Sequence, residues 1–316
     1  MNNKITNQII ILIVYFLLFL SIISIVLLPR GVVFTAYDYH VERSFSINWT
    51  IYWENIRFFF ASLIEGDFGV NIYDQPVIND VVIYFFQRSL PVIIGAFLLA
   101  IILGVVIGTI QFSLRERKIG KITTAFSWVL QSLPDFFIYI MIQIVLFQLF
   151  RWGLPSFSVY GYEAWHNYLM GMIIVSLFPG AYLSMLIKSA LDDELNKDYI
   201  NTAKSKGITS FLILMKHQWM NIIQRIAHHI HTIMIMIIGN LLIFEYLFFM
   251  RGAAMRTYQA LGFHDATIRG SYRSMVADHQ FEPPVIIWLL TCFLLLSLLT
   301  HVFQSIVIHY LNRRQG

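Results

Sequence analysis

An aspartate placed directly after a proline inside a long apolar run, Leu133-Pro134-Asp135, is the first pattern in this sequence that could do chemistry. A carboxylate at the centre of a bilayer costs on the order of 2.5 to 3.5 kcal/mol to insert, so such a group either faces a polar path or bonds to a neighbouring helix. The proline removes a backbone donor and bends the helix, which frees peptide groups to line a cavity. Glu245 poses the same two alternatives near the outer end of another apolar run. Gln131, Ser132, Gln143, Ser176 and Asn240 are milder polar interruptions, of the kind that hold membrane helices together. Pro134, Asp135, Gln131, Ser176 and Glu245 are the candidate lining of a path through the membrane.

Two other constellations invite a catalytic or metal reading. His228, His229 and His231 lie close together, and His228 and His231 can share a helix face. A metal shell needs three or four ligands, and no Cys, Asp or Glu accompanies them in the segment, so no metal site is assigned. The single cysteine, Cys292, falls in the last apolar run and supports neither a disulfide framework nor a thiolate site. Gly120-Lys121 lacks the upstream glycine and the following Ser or Thr of a phosphate loop, so the chain binds no ATP or other cofactor of its own by this reading.

These groups need a scaffold, and composition says which. Apolar residues make up 58% of the 316 positions and charged residues 13%, which excludes an ordinary soluble domain. About 20 apolar residues span a bilayer core as helix. Six such runs occur, at about 9–28, 91–112, 122–150, 168–187, 230–250 and 285–310, and the third is long enough to tilt or bend. They lack the alternation of barrel strands, so the fold class is an all-α membrane bundle of six helices. The first run is too long for a signal-peptide core and no small-residue cleavage pattern closes it.

Charge sets orientation. With the N-terminus inside, 13 of the 22 Lys and Arg, including every lysine, fall in cytoplasmic segments, which puts both termini in the cytoplasm of a multi-pass protein. The chain then divides into an N-terminal end and first span (1–28), an extracytoplasmic segment (29–90) and a five-helix core (91–316). In the outer segment, Trp49, Tyr52, Trp53 and Phe58 to Phe60 predict an amphipathic helix at the interface, as a surface anchor or as the wall of an outer mouth. Arg251, Arg256, Arg269 and Arg273 form a basic outer patch suited to lipid headgroups, a binding protein or an anionic cargo.

The cytoplasmic loop 188–229 is the most structured of the polar segments. Leu195, Tyr199, Thr202, Ala203 and Lys206 recur at spacings of three and four, Gly207 suits a left-handed helix cap, and Thr209 or Ser210 can start a second helix. Phe211, Leu214, Met215, Trp219 and Ile222 continue the apolar spacing on that helix. A helix pair with apolar side chains it cannot bury alone is a device for a partner's groove.

Asp198-Tyr199-Ile200, Thr202-Ala203-Lys204, Lys206-Gly207, His217 and Asn221 resemble the coupling motif of ABC importer permeases of the oligopeptide, dipeptide and nickel type. Other pieces follow in the family's order: Gly66-Asp67-Phe68-Gly69, Gln75-Pro76-Val77, Leu133-Pro134 with Phe136, Gly153-Leu154-Pro155, Pro179, and Glu245 with Arg251-Gly252. Arg225 stands where the family commonly closes the motif with proline, and Asp135 where it commonly has a small neutral residue.

The resemblance implies a type I importer fold in a bacterial plasma membrane, with Asp198, Tyr199, Thr202, Ala203, Lys206, Gly207, Phe211 and His217 contacting an ATPase. It implies a second permease subunit, two cytoplasmic ATPases holding ATP and Mg, surrounding lipid, an extracytoplasmic binding protein, and no nucleic acid. Peptides are the expected cargo and nickel or a metal chelate the alternative. A polytopic enzyme or a non-transporting sensor is the rival class; an enzyme would have to join Asp135 to the histidines across about half a bilayer.

Overall fold

The computed structural model describes residues 2–28, 31–37, 40–46, 48–71, 74–153, 160–262 and 281–315. Its helices are α1 (Asn2–Val26), α2 (Trp49–Glu65), α3 (Val77–Ser113, opening with the π-helical segment Val77–Ile83), α4 (Lys118–Ser132), α5 (Asp135–Arg151) and α6 (Trp165–Glu194). They continue as α7 (Asp198–Ser205), α8 (210–227), α9 (Ile230–Leu247), α10 (Ala253–Ala260) and α11 (Pro283–Gln315). Among the described residues five helices are long and apolar enough to cross a membrane, and α4 with α5, counted as one broken span, would make six. That agrees with the six runs in the sequence, although α3 starts fourteen residues before the apolar run that marks it.

One departure from helix is a hairpin in the outer segment. Strand β1 (Gly31–Tyr37) pairs antiparallel with β2 (His40–Ser46), Gly31 opposite Ser46 and Tyr37 opposite His40. Valine, phenylalanine and threonine at close spacing favour this extended form.

The chain forms two compact units. In the first, made of 1–86 and 256–295, the amphipathic helix α2 starts under a side-chain cap, Asn48 accepting from the backbone of Thr50 at 3.0 Å, and stops at Gly66 with φ 78°. Tyr52 buries its ring, and its hydroxyl meets that of Ser24 on α1 at 2.5 Å. Trp288 of α11 donates to the carbonyl of Phe68 at 3.0 Å and packs edge-on against the Phe68 ring.

In the second unit, of 87–255 and 296–316, α6 is the central helix, with α4, α8 and α9 packed on it. Small residues let backbones approach: a Cβ on Gly104 of α3 would strike Leu183 of α6, and one on Gly108 would strike the Ser184 carbonyl and Ile187. Buried polar groups are joined between helices, Gln111 of α3 donating to Ser127 of α4 at 2.8 Å and Ser127 meeting Ser184 of α6 at 3.2 Å.

Candidate functional site

The loop 188–229 folds as a helix, a glycine turn and a second helix. Gly207 has φ 76°, donates to the Lys204 carbonyl at 2.9 Å, and is followed by Ile208 donating to Ala203 at 3.2 Å, which closes α7 in a left-handed cap. A Cβ on Gly207 would meet nothing within 4 Å, so backbone conformation and not space selects glycine there. Thr209 occupies the cap position of α8 with extended backbone but makes no side-chain cap bond. Ile200, Ala203 and Ile213 bury one another, with Tyr199 and Ile208 packed against them.

α8 departs from simple helical spacing. Its segment Ile213–Gln218 is π-helical, between α-helical Ser210–Leu212 and Trp219–Ala227. The wider turn rotates the face that follows it. The five apolar residues expected on one face therefore separate: Leu214 and Ile222 are buried, Trp219 is half-buried, and Phe211 and Met215 are exposed, Phe211 by 66%. Gln218, which its type would send to the surface, is buried in their place.

The pair is tied to α6 through Glu194, the last residue of that helix. This carboxylate is 6% exposed and accepts from the Tyr199 hydroxyl, from Asn221 Nδ2 at 3.1 Å and from Lys197 Nζ at 2.6 Å. Burial, and then the hydrogen bond to Glu194, push the Tyr199 hydroxyl up to about 12, so it is a fixed donor at any physiological pH. The His217 ring lies 6.4 Å from the Tyr199 ring. Beside them Arg225 forms an ion pair with Asp193 at 2.6 Å, which ties α8 to α6. Sequence reasoning missed Glu194, although Tyr199 and Asn221 both stood in the quoted motif and both need a polar partner. Asp198, Thr202, Lys206, Gly207 and Phe211 are exposed, Tyr199 and His217 half-buried, and Ala203 buried, so the motif divides into an outward face and an inward one.

The long third run is broken, α4 and α5 meeting at 115° across Leu133-Pro134. Asp135 begins α5, with the Asn240 side chain of α9 as its polar neighbour. Gln131 donates to the Phe178 carbonyl of α6 at 2.9 Å. The buried Tyr139 hydroxyl, one turn beyond Asp135, has no hydrogen-bond partner among the described residues. Pro134 is exposed, Gln131 and Asp135 are half-exposed, and Ser176 is fully buried with its hydroxyl donating to Ile173 of its own helix at 2.7 Å.

Glu245 is 0% exposed. It accepts from Ser89 at 2.5 Å and from the backbone of Met255 at 2.7 Å, while Ser89 accepts from the backbone of Ala253 at 2.7 Å. A carboxylate here satisfies the free donors at the start of α10. A Cβ on Gly252 would run into the Glu245 carboxylate and the Ser89 hydroxyl, which explains why Arg251-Gly252 follows at this distance. Of the two alternatives for Glu245, the hydrogen-bonding one describes its surroundings. No hydrogen bond links Asp135, Ser176 and Glu245 to one another among the described residues.

The histidines disperse. His229 Nδ1 meets the Tyr182 hydroxyl at 2.8 Å, His231 Nε2 meets Ser297 at 2.9 Å with its ring 4.9 Å from His301, and His228 is exposed. Among the described residues no group of three His, Cys, Asp or Glu is arranged to hold a metal ion. Arg256 does not join an open basic patch: it is nearly buried, pairs with Glu282 at 2.6 Å and lies over the Phe85 ring. Arg269 and Arg273 lie outside the described residues.

Comparison with known proteins places this geometry in a family. Residues 100–314 match the family described as binding-protein-dependent transport system inner membrane component. Among relatives, the dipeptide transport system permease protein DppB of Bacillus subtilis is 26% identical over 196 residues, covering 62% of each chain. The oligopeptide transport system permease protein OppB of Haemophilus influenzae is 23% identical over 229 residues, covering 69% of this chain and 74% of that one. The glutathione transport system permease protein GsiC of Shigella boydii is 23% identical over 159 residues, and the alignment spans about half the length of each. A solved structure of the MetNI methionine ABC transporter, inward facing, contains a chain that superposes with a TM-score of 0.55 at 13% identity, covering 73% of this chain and 96% of that one. At that identity the likeness concerns the fold. The all-helical arrangement, the spans and the match over residues 100–314 agree, and the chain belongs to the binding-protein-dependent transport system inner membrane components, a family of multi-pass inner membrane permeases.

Proposed function

We propose that this chain is one of two permease subunits of an ATP-driven importer for peptides, forming half of the path and coupling it to a cytoplasmic ATPase through α7 and α8. The observation that carries the reading is the helix pair itself, locked to the end of α6 through Glu194 and displaying Asp198, Thr202, Lys206 and Phe211 to solvent. An element held rigidly on one side and exposed on the other transmits a partner's movement. Peptide cargo is supported by the names of the relatives, which are dipeptide, oligopeptide and glutathione transport permeases.

In this reading residues 91–316 make the transport core, 188–229 the coupling loop, 1–28 the first span and 29–90 an outer segment facing a binding protein. Both termini are cytoplasmic, and ATP and Mg are held by the partner ATPases. Gln131, Pro134 and Asp135, at the break between α4 and α5, are the path-facing group. The test is purification of the tagged full chain in mild detergent with identification of what accompanies it, followed by peptide uptake in vesicles containing the recovered complex. An ATPase, a second permease and ATP-dependent uptake of small peptides are expected. Recovery of the folded chain without an ATPase would overturn the reading.

A further inference from the structure

A cavity of about 530 Å³ opens between the start of α4 and the end of α6, and its walls include Arg115, Lys121, Thr124, Trp128, Met185 and Lys188. Lys121, Thr124 and Trp128 fall on one face of α4 at spacings of three and four. Gly120 makes the floor: a Cβ there would strike the Leu114 carbonyl and the Arg115 backbone, so only glycine lets the turn 114–117 fold against α4 and bring Arg115 over the opening.

The three cations retain unused donors. Arg115 gives one N–H to the Phe112 carbonyl at 3.1 Å and stacks over that ring at 4.7 Å; its approach to the exposed Glu116, 3.7 Å, is long for a hydrogen bond. Lys188 spends one of its three donors on Asp192 at 2.9 Å. The Lys121 ammonium makes no hydrogen bond or ion pair among the described residues. Asp192 and Glu116 are the acids beside these three cations, so the opening is net positive. Round α4 from the cationic face, by roughly a quarter to a third of a turn, Ile122, Phe126 and Val129 are exposed apolar side chains, and Trp128 of the pocket wall is itself exposed, as interfacial tryptophans are.

We propose that this cavity binds the phosphate headgroup of an anionic phospholipid, with Arg115, Lys121 and Lys188 holding the phosphodiester and the acyl chains lying along Ile122, Phe126 and Val129. A basic pocket on a helix that also carries an exposed apolar stripe, roughly a quarter to a third of a turn further round, suits a lipid better than a soluble anion, because the headgroup and the acyl chains then have separate faces to lie on. The site is separate from α7 and α8, and it stands whether or not the cargo is a peptide.

The test uses the full chain, with whatever subunits accompany it, in mild detergent. Phosphatidylglycerol, phosphatidylcholine of the same acyl chains, or inorganic phosphate is added, and native mass spectrometry and the melting temperature report binding. Phosphatidylglycerol is expected to be retained and to raise the melting temperature, with phosphatidylcholine weaker by tenfold or more. Lys121→Ala and Lys188→Ala should each weaken retention about fivefold, the worth of one cation near an anionic headgroup. Arg57→Ala, which removes an exposed charge elsewhere, should leave it unchanged. Equal retention of both lipids, indifference to the two lysine substitutions, or an equal thermal shift from inorganic phosphate would each overturn the proposal.

Discussion

The Tyr199 hydroxyl donates to the Glu194 carboxylate, so the last residue of α6 and the first turn of α7 belong to one hydrogen-bonded unit. Asn221 enters the same carboxylate from the second helix. Three segments that are only adjacent in sequence are thereby fixed in one arrangement.

Tyr199→Phe should remove one of the three donors to Glu194 and cost about 1 kcal/mol, whereas Glu194→Ala strands Tyr199 and Asn221 and should cost about 2 to 3 kcal/mol. Thermal unfolding in detergent checks the order. Uptake per assembled complex should fall more than the amount of inserted protein, and a parallel fall of both would show that Glu194 only stabilises the fold.

Gly207 carries a backbone that L residues adopt at a cost of about 1 to 2 kcal/mol. Uptake should therefore rank glycine above asparagine above valine at this position, with membrane insertion equal in all three. Quantitative membrane fractionation beside a peptide-uptake assay reads both quantities. Full activity in Gly207→Val would show that the turn does not have to hold its angle.

The pH dependence of stability should have an acid arm from His229 and an alkaline arm from Tyr199. Burial, with His228 and Arg225 nearby, holds the His229 imidazole below its ordinary range, so its contribution is complete above about pH 6.5 and is lost as acid protonates it. Tyr199 is raised, so its contribution is complete below about pH 10 and is lost as pH climbs through about 12. Melting temperatures from pH 5 to 11 should show a plateau between these limits. His229→Gln should flatten only the acid side, and an unchanged acid slope in that variant would assign it to another group.

Gly252→Ala would press a methyl group into the Glu245 carboxylate and the Ser89 hydroxyl and should cost about 1 to 3 kcal/mol. The readout is thermal stability of the purified chain, with Gly239→Ala as control, since a Cβ there meets nothing within 4 Å.

Asp135→Asn keeps a polar partner for Asn240, and Asp135→Leu does not. The leucine variant should lose about 0.6 kcal/mol, the usual worth of a polar contact between membrane helices. If Asp135 also faces the path, the asparagine variant, with stability near that of the parent, should favour neutral over cationic peptides in competition uptake. An unchanged preference would leave Asp135 with its contact to Asn240 alone.

Features carried by periodicity or by one residue's geometry were readable in advance. Hydropathy marked the spans, the aromatic run at 49–60 marked α2, and Gly207 marked the turn it makes. What escaped depends on groups that meet only after folding. Ser89 and Glu245 are separated by 156 positions, and no spacing rule joins them. The π-helical segment at Ile213–Gln218 shows no residue that announces it, so an α-helical projection kept Phe211, Leu214, Met215, Trp219 and Ile222 on one face, which the structure divides between buried and exposed positions. Asp135 was legible as an unusual carboxylate, but its partner on α9 was not, because Asn240 looks like any other polar interruption of an apolar run.

The glycines at 104 and 108 bear on how force moves through this unit. With backbone lying against Leu183, Ser184 and Ile187, α3 and α6 have no side-chain cushion between them at these levels. Such a contact resists sliding and rolling, so a torque applied at Glu194 turns both helices as a single shaft. In the proposed coupling role the lever that begins at Tyr199 has two arms, and stiffness at Gly104 and Gly108 sets how far along them a push on α7 and α8 is felt.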